Sequence, residues 1–471
     1  MARPTVTPLN EERLFEFHEL FFSVTDKRGV IEFGNDVFAR IAGYSLDEMV
    51  GEPHNIIRHP DMPRAVFKVL WDYLDAGRTI VAYVKNMAAD GRYYWVLALV
   101  LPSGDRYVSI RLKPSSELFA AVQEVYQKVL AFEKQREQET GSRKIALEES
   151  MPYLVSLIEE AGFNSYDELM WSALHQEMDA RRAALKNIVV KKKGRIAVST
   201  SSPLWKLAAN CKSMAEHLDA LFASLGGFTD LNKSLAGQAT FLKRLAESIR
   251  RSSLNAEIAS SHLGERGLAL AEIAGQMSAQ TAASIGLIAS LHTSISDLQG
   301  PLLRLVFDVL VATLDIEMAS LFIDEVTAVG SEVEEVAEED QVMTEYITAL
   351  VSLFEERATT LIPNLFDISG KLQTIRDLLV RLQRYMRMLS VVQFSGQVEA
   401  VRIPDSLNFL AIFEEVLEQL NEANRQVSGF GKLVGDRLQE NAALQASAQG
   451  ISSLLEQTHE HMTALAQTEA A

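Results

Sequence analysis

Arg58, His59 and Asp61 fall within the stretch Gly51–Pro63, which reads GEPHNIIRHPDMP. They place three ionisable groups side by side: a permanent cation, an imidazole that titrates near neutrality and a carboxylate. Pro53, Pro60 and Pro63 each remove a backbone donor and fix φ. The residue before each is pushed towards extended conformation. Regular helix is therefore excluded here, and the charged groups sit on a stiff loop of the kind that holds ligands on a rigid scaffold. The competing reading is a surface turn carrying a local Arg58–Asp61 ion pair.

The flanking sequence supplies a frame for that loop. Phe21–Thr25 and Gly29–Phe33 alternate in apolar character around Asp26–Gly29, which predicts a β-hairpin. Asn35–Ala42 predicts a short helix with Phe38 and Ile41 inward, closed by Gly43. Leu46–Val50 predicts another turn of helix, with Ser45 as N-cap and Glu48 completing a capping box. Beyond the loop, Ala65–Ala76 is amphipathic and ends at Gly77. Three strand-like runs follow, Ile80–Met87, Arg92–Leu101 and Tyr107–Lys113, separated by Asp90–Gly91 and Ser103–Asp105. The expected fold is thus α+β, a five-stranded antiparallel sheet with short helices.

The chain as a whole sets limits on class. Its 471 residues allow roughly two to four domains. With 63 acidic against 45 basic side chains, net −18, it lacks the basic character of a nucleic-acid binder. The single cysteine, Cys211, excludes an intrachain disulfide and any multi-cysteine metal site. The first residues have no apolar signal-peptide core. The most apolar segment, Leu302–Phe322, is interrupted by Arg304, Asp308, Asp315 and Glu317, so no membrane span is expected. These features predict a soluble, cytoplasmic protein.

Asn35-Asp36, Gly43-Tyr44, Gly51 to Asn55, Arg58 to Pro63, Lys85-Asn86, Gly91 and Tyr94-Trp95 together resemble the PAS domain of bacterial aerotaxis receptors. The resemblance covers about Phe21–Lys113. It implies FAD as cofactor and a report on cellular redox state, with Arg58, His59 and Asp61 in the flavin-binding motif and Asn35 and Trp71 at pocket positions. Such a cofactor needs a cation for its phosphates, for which Arg58 offers bidentate contacts. It needs amides for the ring edge, which Asn35 and Asn86 could supply, and flat faces, which Trp71 and Trp95 could supply. Trp71 is equally a core residue, and His59 is alternatively an axial haem ligand. Ile80 stands where the family often has tryptophan. A light-sensing cysteine adduct is excluded, since no cysteine precedes Cys211.

The sequence then turns helical. Ser115–Lys134 and Met151–Leu185 carry helical spacing, and the basic run Lys191–Arg195 reads as a linker. From Pro203, Leu204, Cys211, Leu218 and Leu225 recur every seven residues, as do Leu207, Met214, Leu221 and Phe228, and the register continues through Leu235, Leu242 and Ile249. These are core positions of a coiled coil, which makes Cys211 a packing residue. Met277, Ser284, Leu291, Leu298 and Leu305, interleaved with Thr281, Ile288, Ile295 and Leu302, form a second seam. Gly300-Pro301 and Pro363 are expected to break or kink their helices.

A second resemblance lies here. Leu254-Asn255-Ala256, Gly264-Glu265 and Ala274-Gly275 are similar to the hairpin tip of methyl-accepting chemotaxis receptors, and Gln397–Arg402, with Glu399 and Arg402, is similar to the same tip again. Ala259 and His262 depart from the family's glutamate and arginine. The resemblance implies contact with the chemotaxis histidine kinase and its coupling protein through Asn255, Gly264, Glu265, Glu399 and Arg402. The paired glutamates of Glu332–Asp340 resemble methylation sites or form a solvated charged face.

The expected organisation is an N-terminal cap (1–20), a PAS sensor domain (21–114), a helical connector (115–202) and two receptor-like hairpins (203–330 and 331–471). The hairpins would pair as an all-α long antiparallel coiled coil or intramolecular four-helix bundle. No catalytic or metal-ligand spacing occurs. The sequence predicts a non-enzymatic redox or oxygen transducer with a flavin-bearing PAS input, and leaves homo-oligomerisation open. Its alternatives are a scaffold with an empty PAS module and a haem-based gas sensor.

Overall fold

A computed structural model describes residues 6–186, 203–262, 264–329, 337–403 and 407–469. The basic run Lys191–Arg195, most of the acidic run from Glu332, and Pro404–Ser406 lie outside them.

Five antiparallel strands, β1 (Phe21–Asp26), β2 (Ile31–Gly34), β3 (Ile80–Met87), β4 (Tyr93–Ser103) and β5 (Arg106–Leu112), form one sheet in the order β2-β1-β5-β4-β3. Helices α1 (Asp36–Ala42), α2 (Leu46–Met49) and α3 (Arg64–Asp75) fall between β2 and β3. This is the expected five-stranded α+β domain. Ser45 and Glu48 form the capping box at α2, and Gly43 closes α1 at φ 73.

The long loop between α2 and α3 is fastened at both ends. Val30 bridges to Pro53 and Arg58 bridges to Asn86 on β3. Between these points His54–Ile57 makes one 3₁₀ turn. Residues 9–13 run alongside the start of β4, with Leu9 N donating to Gly91 O at 2.7 Å and Arg13 N to Tyr93 O at 2.7 Å.

The connector is three helices, α4 (Glu117–Thr140), α5 (Arg143–Glu160) and α6 (Tyr166–Leu185). It also caps α3. Glu133 of α4 is buried and accepts from the N–H groups of Arg64 (2.9 Å) and Ala65 (2.8 Å), which have no partner inside α3. Four long helices complete the chain: α7 (Pro203–His262), α8 (Leu268–Val329), α9 (Ala337–Arg402) and α10 (Leu407–Glu469), with a 3₁₀ turn at Gly264–Gly267. Among the first seam residues, Leu207, Cys211, Met214, Leu218 and Leu221 are buried. The side chains of Leu225, Phe228, Leu235, Leu242 and Ile249 lie outside the described residues. Every residue of the second seam is buried.

At two prolines the expected break does not occur. Helix α8 continues through Pro301 and α9 through Pro363. Both prolines are exposed, so the carbonyl each deprives of a partner one turn earlier can be hydrated instead.

The chain divides into two compact units. The first holds residues 1–219, 306–360 and 450–471. Here the apolar stretch of α8 is explained: it is wrapped by protein on all sides. Phe322 packs edge-on against Phe22 (4.9 Å) and Phe33 (5.6 Å), and Tyr346 of α9 stacks on Phe33 at 4.1 Å. Arg181 of α6 makes two hydrogen bonds to Glu317, at 2.8 and 2.7 Å. Among the described residues, no helix is long and apolar enough to cross a membrane.

The second unit holds residues 220–305 and 361–449. Its core cluster draws Ala256 from α7, Ala274 and Met277 from α8, Leu389 and Ala400 from α9, and Phe413 and Val416 from α10. A Cβ on Gly396 would lie 2.5 Å from the Phe413 ring, so that glycine permits the α9–α10 approach. Gln393 seals it by donating to Phe413 O at 2.8 Å.

Asp315, inside the first unit, is fully buried and accepts from Arg357 Nε at 3.1 Å. Burial pushes its carboxyl up from 3.8 to about 7, with Arg357 opposing. An acid whose folded value is raised binds more protons folded than unfolded between those two values. Stability should therefore fall as pH rises from 3.8 to about 7 and stay level above. Thermal melts of Asp315→Asn across that window should lose this slope; an unchanged slope would show that Asp315 does not titrate in it.

Candidate cofactor site

A cavity of about 230 Å³ lies between the sheet, α3 and the proline loop. Its sheet wall is Val84 and Asn86 of β3, Ala98 and Val100 of β4, and Ser109 and Arg111 of β5. These alternate along each strand, as residues sharing one face must. Phe67, Leu70, Trp71 and Leu74 close the helical side, and His54, Asn55 and Arg58 close the loop side. The Trp71 indole packs over the backbone of Gly29. A Cβ there would sit 3.1 Å from the ring, and Gly29 also holds φ +79, a conformation that favours glycine.

The electrostatics are one-sided. Arg28, Arg58 and Arg111 line the cavity, and no aspartate or glutamate does. Arg111 is 2 % exposed. Its guanidinium donates to Ser109 O (3.2 Å), Ser23 Oγ (3.0 Å) and His54 Nε2 (2.6 Å). Because arginine only donates, His54 Nε2 accepts and the ring proton belongs on Nδ1. Burial and the Arg111 charge push His54 down to about 3, so it is neutral at physiological pH. Burial lowers Arg111 to about 10, which leaves it charged there. The Arg58 guanidinium lies 3.9 Å over the Phe67 ring, and burial lowers its pKa too.

Of the residues singled out in the sequence, Arg58, Trp71 and Asn86 meet in the cavity. His59 is buried beside it and works on the loop: its Nδ1 accepts from Asp61 N at 3.1 Å, and its ring meets Tyr93 edge-on. Asp61 pairs with Lys85 (3.3 Å) rather than with Arg58, whose guanidinium donates to Met62 O at 3.4 Å. Asn35 N-caps α1. Its Oδ1 accepts from Phe22 N (3.2 Å) and Phe38 N (3.3 Å), while its Nδ2 donates to Glu325 Oε2 (3.1 Å) on α8. Trp95 is on the opposite face of the sheet, against Phe119 and Tyr126 of α4.

Sequence reasoning passed over His54, Asn55, Ser109 and Arg111. Asn55 and His54 sit in the same loop motif as Arg58, and that adjacency was a usable signal. At the chain's other candidate site, Asn255 and Glu265 are exposed, and Arg402 donates to Glu399 at 3.3 Å. Gly264 opens the 3₁₀ turn. Among the described residues, no group of three His, Cys, Asp or Glu is placed to hold a metal ion.

A buried cation held only by neutral partners costs stability that an apolar side chain would not. In the ligand-free protein, Arg111→Met should therefore raise stability, by about 1–4 kcal/mol in denaturant unfolding. A loss of stability would mean that the three acceptors compensate the charge fully.

Residues 31–106 match the family described as PAS fold. The chain is 41% identical over 111 residues to the aerotaxis receptor of Escherichia coli, a match covering 22% of this chain and 22% of that receptor. Similar solved structures include the LOV domain of the blue-light-activated histidine kinase of Erythrobacter litoralis (19% identity, 20% of this chain, 94% of that one, TM-score 0.19). Another is the light-state LOV domain of the photoreceptor aureochrome (27% identity, 24% of this chain, 91% of that one, TM-score 0.19). The N-terminal domain is a PAS domain, similar over 111 residues to that aerotaxis receptor, and a long helical region follows it.

Proposed function

We propose that the chain is a redox-sensing transducer whose PAS domain binds FAD and whose helical half carries the signal to chemotaxis proteins. The observation that carries this reading is a cavity with flat aromatic walls, a buried guanidinium and no carboxylate. Such a lining suits a planar heterocycle that can take up negative charge. Asn86 and Asn55 offer amides, Trp71 and Phe67 offer faces, and Arg58 would offer its charge to a phosphate. Bound flavin would supply a reversible redox centre; the rest is done by the chain's own groups. Arg111 favours added negative charge in the cavity. Neutral His54, with its Nε2 already committed, can neither relieve that charge nor ligate haem iron in this arrangement. His59 has Nδ1 committed to Asp61 and lies outside the cavity lining.

The output begins beside the cavity. The His54 ring stacks on Phe38 at 6.0 Å. Phe38 N donates to Asn35, and Asn35 and Asp36 N both donate to Glu325 of α8, the latter at 2.8 Å. Movement of His54 thereby reaches α8 through three contacts, and movement of Arg111 through four. A coupling of about 1–3 kcal/mol is ordinary for such linkage. Cys211 takes no part in this chemistry, being buried with its thiol pushed up to about 12. The hairpin tips, with Asn255, Gly264, Glu265, Glu399 and Arg402, would meet the kinase and coupling protein, and the helical half would act as two hairpins, 203–330 and 331–471.

The absorption spectrum of the purified chain tests the cofactor. Oxidised-flavin bands are expected, and Arg58→Ala should weaken flavin affinity about ten- to hundredfold, the worth of a charge-assisted hydrogen bond. A Soret band or a colourless protein that refuses FAD would overturn the reading. Glu325→Gln tests the route: hydrogen exchange at α8 should change on reduction in the parent and not in the variant. An identical response in both would remove Glu325 from the output.

A further inference from the structure

A second depression, about 310 Å³, is also lined by Arg58, so that one residue borders both spaces. The proline loop and the start of α3 form one bank. Helix α4 and the first residue of α5 form the other. Arg58, Arg64, Lys134 and Arg143 line it, against Glu133 and Glu137. Four cations facing two carboxylates leave a formal excess of two positive charges.

Both carboxylates are already engaged. Glu133 accepts from two backbone N–H groups of α3 and from Ser150 Oγ at 3.2 Å. Glu137 accepts from Arg64 Nη2 (2.7 Å) and Arg143 Nε (2.9 Å). Arg64 Nη1 is buried and has no acceptor. Lys134 is exposed and makes no ion pair among the described residues. The groove therefore keeps donors unused, next to an arginine that also reaches the ring cavity.

We infer that this groove takes the diphosphate of a dinucleotide whose ring occupies the inner cavity, which makes α4 and α5 part of the cofactor site. A diphosphate diester carries two negative charges, matching the local excess. The inference rests on the flavin reading and deepens it: the connector selects a dinucleotide over a mononucleotide or a bare ring. It also means that loading the cofactor clamps the PAS loop to the connector at Arg64, where Glu133 and Glu137 already join the two.

The test uses the full chain freed of ligand, titrated with FAD, FMN and riboflavin by flavin fluorescence. Lys134 and Arg143 are both exposed, so Lys134→Gln/Arg143→Gln should fold normally, and a melt checks it. The double variant should lose about tenfold in FAD affinity and leave riboflavin affinity unchanged. Inorganic pyrophosphate should compete with FAD and not with riboflavin, and salt should weaken FAD more than riboflavin. Parent and variant binding FAD equally would overturn the groove while the inner cavity stood. A parent chain that binds neither FAD nor riboflavin would instead remove the flavin reading, and the groove assignment with it. Pyrophosphate that binds without displacing FAD would mark a separate free-anion site and also overturn the assignment.

Discussion

A guanidinium enclosed at the centre of a domain, with no carboxylate to answer it, is the constraint around which this PAS domain is built. Arg111 cannot leave, because β5 is hydrogen-bonded on both sides, to β1 and β4. It cannot neutralise, because burial lowers its pKa only to about 10. Its surroundings are therefore arranged to accept hydrogen bonds without supplying charge: a backbone carbonyl, a serine hydroxyl and an imidazole kept neutral first by burial and then by the same guanidinium. The tautomer of His54 is a consequence of Arg111 in this sense. Positive potential in a low-dielectric space is stored there for a guest to use.

The same pocket shows what could be read in advance and what could not. The strand order along the chain, the Ser45–Glu48 capping box and the glycine at the end of α1 are local signals, and the structure keeps them. Arg58, Trp71 and Asn86 converge because two of them are carried by regular elements and the third is bridged to Asn86. Trp95 was a matter of parity. In the antiparallel register it pairs with Lys85 while Asn86 pairs with Tyr94, so Trp95 and Asn86 point to opposite faces. That register follows from the tight turn, and a composition-led reading does not see it.

Arg111 was hidden for a related reason. Ser109 and Arg111 alternate with Val108, Ile110 and Leu112, the pattern of a strand with one wet face. Here α3 and the proline loop cover that face, so the polar stripe lines a cavity instead. Asn35 was legible as an N-cap but not as a partner of Glu325, which lies 290 residues away. The continuity of α8 and α9 through their prolines likewise depends on which side of each helix meets solvent, a property of the assembled bundle.

Phe22 and Phe33 are covered by Phe322 and Tyr346, side chains contributed from far along the chain. The boundary between sensor and output that the chain order suggests is therefore not a boundary in the hydrophobic core. A fragment ending after β5 would uncover two phenylalanines on the β1–β2 hairpin and leave the amide groups at the start of α1 without Glu325. In this protein the late helices serve as a missing wall of the early domain, and an excised sensor would be a molecule with sticky edges rather than a smaller version of the whole.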